Sequence, residues 1–171
     1  MFSPLEAIDS LVVRHVRFVV VGGWGALQHG ATRLTQDIDI CPELSAENLD
    51  RLAQALTDLH ARLSIGPTET IPVPIIDQRL LAQMEIGNWS TDAGRVDVLH
   101  HIPARAGDAL GYNELRRRAT PITDEGRTFL VASLADIAAS KRAADRGKDR
   151  DALPELDRLL AEHLPPDSLA P

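Results

Sequence analysis

Hydrophobic positions along the chain change their period several times, and each change predicts an element. Leu5, Ile8, Leu11 and Val12 recur at helical spacing, so residues 4–15 are expected to form a short amphipathic helix. From Arg17 to Val21 the chain is apolar and β-branched until it meets Gly22-Gly23, the pattern of a buried strand ending in a tight turn. Trp24 to His29 then opens a second helix. From Gln36 to Cys41 polar and apolar residues alternate, with Asp37 and Asp39 on one face and Ile38 and Ile40 on the other, as in a half-buried strand. Ser45 reads as an N-cap, and Leu49, Leu52, Ala53, Leu56 and Leu59 form the inward stripe of a helix expected to reach about Leu63.

Pro67, Pro72 and Pro74 make residues 66–77 an irregular or edge segment. Met84 to Trp89 and Arg95 to Leu99 read as two strands joined by the turn Ser90 to Gly94. A helix-rich second half is expected: a short helix from Tyr112 to Ala119, one entered through a capping box at Ser133 and Asp136 and running to about Asp145, and a last one from Leu153 to Leu164. The fold class is therefore α/β (α+β), a small mixed sheet flanked by helices with a short C-terminal helical portion. We expect a single domain over 1–164, its core at about 17–100 and its helical portion at about 110–164, with 165–171 a flexible tail.

Composition adds limits. The 171 residues are 44% apolar and 25% charged, ordinary for a globular domain. The single Cys41 offers neither an internal disulfide nor a cysteine-based metal cluster, so a reducing compartment is expected. The longest apolar run near the N-terminus, Val16 to Leu27, is interrupted by Arg17 and three glycines, short of the roughly 20 residues of a membrane span. Glu6 and Asp9 precede it where a signal peptide carries basic residues. A cytoplasmic protein with no membrane partner is expected. A formal charge of −7 argues against a broad nucleic-acid surface, although eleven of the eighteen Lys and Arg residues lie from Arg105 onward and leave room for a local basic face.

The chemistry begins at Asp37-Ile38-Asp39. Two carboxylates two positions apart on a strand project from one face, roughly 7 Å apart at their Cα atoms. Such oxygens suit Mg²⁺, which takes one or two protein carboxylates and fills its octahedron with water and phosphate oxygens. Two ions about 4 Å apart could serve the attacking and the leaving oxygen of an in-line displacement, and Asp97, opposite in parity to Val96 and Val98, could supply a third carboxylate from an adjacent strand. A D-x-D pair alone is more often a solvated strand face, so the context decides. Gly22-Gly23 follows a buried strand and precedes a helix, where bare backbone N–H groups favour phosphate, and thirteen residues separate Gly23 from Asp37.

Strand, Gly-Gly, short helix, then a strand bearing D-x-D resembles the nucleotidyltransferase fold of the DNA polymerase β superfamily. Gly22 to Ala26 and Arg33-x-Thr35-x-Asp37-Ile38-Asp39-Ile40 are similar to small bacterial members, among them lincosamide-type antibiotic nucleotidyltransferases and the AbiEii and MenT toxins. Lys141 to Asp149 resembles the later motifs of the AbiEii group, and Gly94 to Leu99 fits the third-carboxylate strand. The resemblance covers about residues 17–157. It implies that Asp37 and Asp39 bind two Mg²⁺ ions and that Asp97 completes the catalytic metal site and helps deprotonate the acceptor hydroxyl. It further implies that Gly22 and Gly23 approach the triphosphate of an NTP, that Lys141 neutralises its charge, and that Asp149 holds Lys141 or the nucleotide in place. Gly25 departs from the pattern, where relatives often carry a larger residue.

Other residues allow two readings. Arg33 and Thr35 are read as orienting the carboxylates or the phosphate. Arg146 and Lys148 fit a phosphate contact or a solvated helix end. Arg116-Arg117-Arg118 reads as a solvated face, His100-His101 as structural, Trp24 and Trp89 as core, and Cys41 as a small buried hydrophobe. So short a chain leaves little room for a dedicated drug-binding domain, which favours tRNA or another macromolecule as acceptor and a toxin held by a cognate antitoxin. The alternatives are a small-molecule (antibiotic) nucleotidyltransferase and a non-catalytic antitoxin or regulator; the presence of all three carboxylates and Lys141 speaks against the last.

Overall fold

A computed structural model describes residues 3–162 of the chain. The tail expected over 165–171, and the last two residues of the expected final helix, lie outside the described residues. The N-terminal elements are α1 (Pro4–Val13), β1 (Phe18–Val21), α2 (Gly22–Gln28), β2 (Asp37–Pro42) and α3 (Ala46–Asp58). There follow β3 (Arg62–Ser64), β4 (Thr70–Ile71), α4 (Gln78–Gln83), β5 (Ile86–Thr91) and β6 (Gly94–Leu99). The C-terminal part adds β7 (His101–Pro103), β8 (Ala109–Gly111), α5 (Tyr112–Arg116), β9 (Thr120–Asp124), β10 (Arg127–Val131), α6 (Leu134–Ala144) and α7 (Gly147–Glu162).

The sheet is larger than the small one expected. Eight strands run in the order β4-β3-β5-β6-β2-β1-β10-β9, with β7 and β8 as a separate pair. Only β1–β10 and β2–β6 are parallel within it, so the sheet is mixed. Its centre follows from composition: all four residues of β1, Phe-Val-Val-Val, are buried, as β-branched residues covered on both faces should be. Ile38 and Ile40 of β2 are fully buried with Ile8 and Leu11 of α1 and Leu49, Leu52 and Leu56 of α3. The opposite face holds Val19, Val21 and Cys41 under Leu115 of α5, Ile137 of α6 and Leu156 of α7. Buried Asn48 accepts from the Arg17 amide and donates to the Arg17 and Glu43 carbonyls, tying α3 to both central strands.

Several expectations change. The helix capped by Ser45 stops at Asp58 instead of reaching Leu63, since His60 turns to φ 50° and Arg62 starts strand β3. The helix-rich second half contains two hairpins, and β10 reaches the centre of the sheet by pairing Val19 with Leu130. Ser133 does cap α6, accepting from the Asp136 amide, but the reciprocal half of the capping box is absent because the Asp136 carboxylate takes the Ser133 hydroxyl and the Arg118 guanidinium. The last helix starts at Gly147, not Leu153, which brings Lys148 and Asp149 into its first turn. At Gly25 a Cβ would lie 3.2 Å from Ile137 Cδ1, so the glycine seats α2 closely against α6. No described helix is long and apolar enough to cross a membrane.

Candidate functional site

The parallel β2–β6 register sets Asp39 directly opposite Asp97, and the antiparallel β1–β2 register sets Val21 opposite Asp39. The chain leaving β1 therefore turns at Gly22 immediately beside the Asp39 carboxylate. Gly22 has φ +65°, and a Cβ there would stand 1.9 Å from Asp39 Oδ2, so no side chain can replace it without displacing the carboxylate. Gly23 is similarly close to the next layer, its notional Cβ 3.2 Å from the Cβ of Thr35. The Thr35 hydroxyl donates to Asp37 Oδ1. Backbone, hydroxyl and three carboxylates thus form one wall.

This wall is electrostatically unsatisfied. Burial, and then the negative charges of Asp37 and Asp97, push the Asp39 carboxyl up to about 7. Burial also raises Asp97, against the pull of Arg95 and with the help of Asp37. Asp97 Oδ1 is buried with no hydrogen-bond partner among the described residues. A buried, orphaned carboxylate oxygen beside two like charges is a position a divalent cation would relieve, so the donor set fits one. The set is open: among the described residues no three His, Cys, Asp or Glu side chains come together as a cage able to hold a metal ion. Mg²⁺, which keeps water and phosphate oxygens in its shell, asks for no such cage.

The other wall is built by α6 and α7. Asp149, whose side chain is 1% exposed, accepts from Arg146 Nε at 2.6 Å and lies 3.4 Å from Lys141 Nζ. Burial alone would raise its carboxyl, but the Arg146 hydrogen bond and the nearby Lys141 outweigh burial and hold it below the usual carboxylate range. Glu155 of α7 accepts from the Thr32 amide and hydroxyl, tethering the loop that carries Arg33 and Thr35. Arg33 itself reaches Asp151 at 3.7 Å.

Between the walls lies a cleft of about 620 Å³. Asp37, Asp39, Asp97, Gly22, Gly23 and Thr35 line it on one side, and Arg33, Lys141, Arg146 and Asp149 on the other. Three further residues line it that the sequence reading left out or set lower. Asn88 of β5 pairs with Asp97 in register, and the alternation of its strand could have placed it there. Lys148 is exposed, its ammonium has no hydrogen-bond or ion-pair partner among the described residues, and its charge works against the upward shifts of Asp39 and Asp97. His101 stands at the rim; its neighbour His100 is the structural one, bonded to the Leu81 carbonyl.

No protein-family profile and no curated protein sequence matches the chain. Solved structures do. The lincosamide antibiotic adenylyltransferase LnuA, lincomycin-bound, superposes with a TM-score of 0.60 at 15% identity, over 92% of this chain and 98% of that one. A candidate nucleotidyltransferase of Thermotoga maritima gives 0.52 at 17%, over 95% and 97%. The antibiotic-resistance factor ANT(2'')-Ia gives 0.55 at 14%, over 96% and 83%. The fold is that of the nucleotidyltransferases.

Proposed function

We propose that this chain transfers a nucleoside monophosphate from an NTP to a hydroxyl acceptor, with Mg²⁺ as cofactor. The observation that carries this reading is the β2–β6 register, which sets Asp39 against Asp97 with the Gly22 backbone in contact with the same carboxylate. Asp37 and Asp39 are the residues that would hold two ions, with Asp97 completing the catalytic metal site. Bound Mg²⁺ would supply charge neutralisation for the phosphates and for the attacking oxygen. Gly22 and Gly23 leave room for phosphate oxygens against bare backbone. Lys141 and Lys148 meet the triphosphate's charge from the helix wall, and Arg146 and Asp149 hold that wall in shape. Asp97 would take the acceptor proton as the acceptor oxygen bonds to the α-phosphorus and the bond to pyrophosphate breaks.

The expected acceptor is tRNA or another macromolecule, in an AbiEii-like toxin restrained by an antitoxin. A small-molecule acceptor is the second reading, favoured by the full-length likeness to LnuA and ANT(2'')-Ia, the latter also known in complex with adenylyl-2''-tobramycin. The test is incubation with each α-³²P-labelled NTP and Mg²⁺ against total tRNA, lincomycin and tobramycin. Label moving to any acceptor, abolished by EDTA and by Asp39→Asn, is the expected result. Absence of both NTP binding and transfer would defeat the reading.

A further inference from the structure

Beside the cleft lies a second cavity of about 600 Å³ between the β7–β8 hairpin and α6. The two share Ile86, His101 and Pro103, so the second opens from the cleft at the side where β6 leads into β7. That is the Asp97 side, away from the Gly22–Gly23 turn. An in-line displacement needs the acceptor opposite the departing pyrophosphate. The floor is apolar and small-sided, with Ala139 and Ala143 of α6 facing Ala109 of β8. At the junction Ile86 is 61% exposed, a large apolar surface left open where the two cavities meet.

The polar groups sit at the rim. Arg105 is exposed and its guanidinium has no partner among the described residues. Arg142 pairs with Asp157, an arrangement that leaves several of its five donors free. His101 is exposed, and its imidazole has no hydrogen bond or ion pair among the described residues. Among the described lining residues Asp108 is the sole carboxylate. A polycationic acceptor would meet the unpaired Arg105 guanidinium at this rim, with Arg142 held by Asp157 and Asp108 the one lining carboxylate. A phosphate ester finds a guanidinium fork suited to its oxygens, and an apolar floor suits a ring beside it.

We propose that this cavity is the acceptor site and that it takes a hydroxyl-bearing phosphate ester with a ring-like body, not a polycationic drug. The inference rests on the nucleotidyl-transfer reading and deepens it. The acceptor's hydroxyl oxygen bonds to the α-phosphorus, its proton passes to the Asp97 carboxylate, and pyrophosphate leaves on the cleft side.

The test measures binding to the full chain in Mg²⁺ with a non-hydrolysable NTP analogue present. The probes are adenosine 5′-monophosphate, a five-nucleotide RNA with a free 3′ hydroxyl, and tobramycin. At least one phosphate probe should bind, with Kd raised about tenfold by Arg105→Glu. Ala143→Trp, which fills the cavity from an exposed helix position, should abolish that binding while NTP-analogue affinity stays within about twofold. Binding of the monophosphate assigns a small phosphate ester; binding of the RNA alone assigns a polynucleotide end. The inference is overturned if tobramycin binds more tightly than both phosphate probes, if neither phosphate probe binds, or if both variants leave the phosphate probe's Kd unchanged. Failure of the NTP analogue to bind would instead defeat the nucleotidyl-transfer reading, and the inference with it.

Discussion

On the strand wall of the cleft, Asp39 faces Asp97 across two strands, Asp97 keeps a buried oxygen without a partner, and the Asp39 carboxyl is pushed up to about 7. On the helix wall one buried carboxylate, Asp149, gathers Arg146 and Lys141 and is held below the usual carboxylate range. The first arrangement crowds three carboxylates together; the second surrounds one carboxylate with two cations. Substitutions on the two walls should therefore separate activity from stability in opposite directions.

The largest effect is expected from Asp39→Asn. It removes a like charge from the strand wall, so thermal melting without Mg²⁺ should show a midpoint equal to or above wild type, while labelled-NTP transfer falls by about 10³-fold. A variant that transfers at near-normal rate would remove the strand wall from the chemistry.

The helix-wall cations come next. Lys141→Ala should cost roughly 10²-fold in transfer rate. Lys148, which the sequence ranks below Lys141, is the cleft lysine with no ion-pair partner among the described residues, and its substitution by Ala should weaken NTP binding by about tenfold. Labelled-NTP transfer checks the first and titration calorimetry with an NTP and Mg²⁺ the second, and negligible losses in both would leave the helix wall a purely structural feature.

Asp149→Asn breaks the comparison from the other side. With the buried carboxylate gone, Lys141, whose side chain is 16% exposed, loses its partner, and urea unfolding should show a loss of about 2 kcal/mol. This is the reverse of the outcome expected for Asp39→Asn.

The smallest effect is a pH dependence. Because the Asp149 carboxyl is lowered in the folded chain, its contribution to stability is full above the ordinary carboxylate value of about 3.9 and fades as pH falls through the lowered folded value. Wild type and Asp149→Asn should differ most near neutrality and converge in acid. A stability gap that widens below pH 4 would contradict the assignment.

Residues whose meaning lies in short-range pattern were readable from the sequence. The alternation of Asp37 to Cys41 sets two carboxylates on one face whatever they pack against, and Ser45 caps α3 through a bond to Asn48, three residues on. The β9–β10 hairpin carries a local signal, Glu125-Gly126 between alternating residues, both at positive φ, but Pro121 weakens it. The start of α7 is hidden for a different reason. Its first turn, Gly147-Lys148-Asp149-Arg150, is too polar to show an apolar stripe, and its buried member is a carboxylate satisfied by Arg146 and Lys141.

By itself the sequence determined which residues could meet phosphate and cation, because carboxylate spacing on a strand, a Gly-Gly break and a lysine continuing an apolar helix stripe are set by local backbone periods of two and 3.6 residues. Tertiary structure alone decided that Asp97 lies opposite Asp39 and not one register away, since a shift of one residue would turn the carboxylate into the core and Val96 or Val98 into the cleft. It alone brought Lys148 over the acidic wall and opened a second cavity at the Asp97 side, because those juxtapositions join residues far apart in the chain through the packing of α6 and α7 on the sheet.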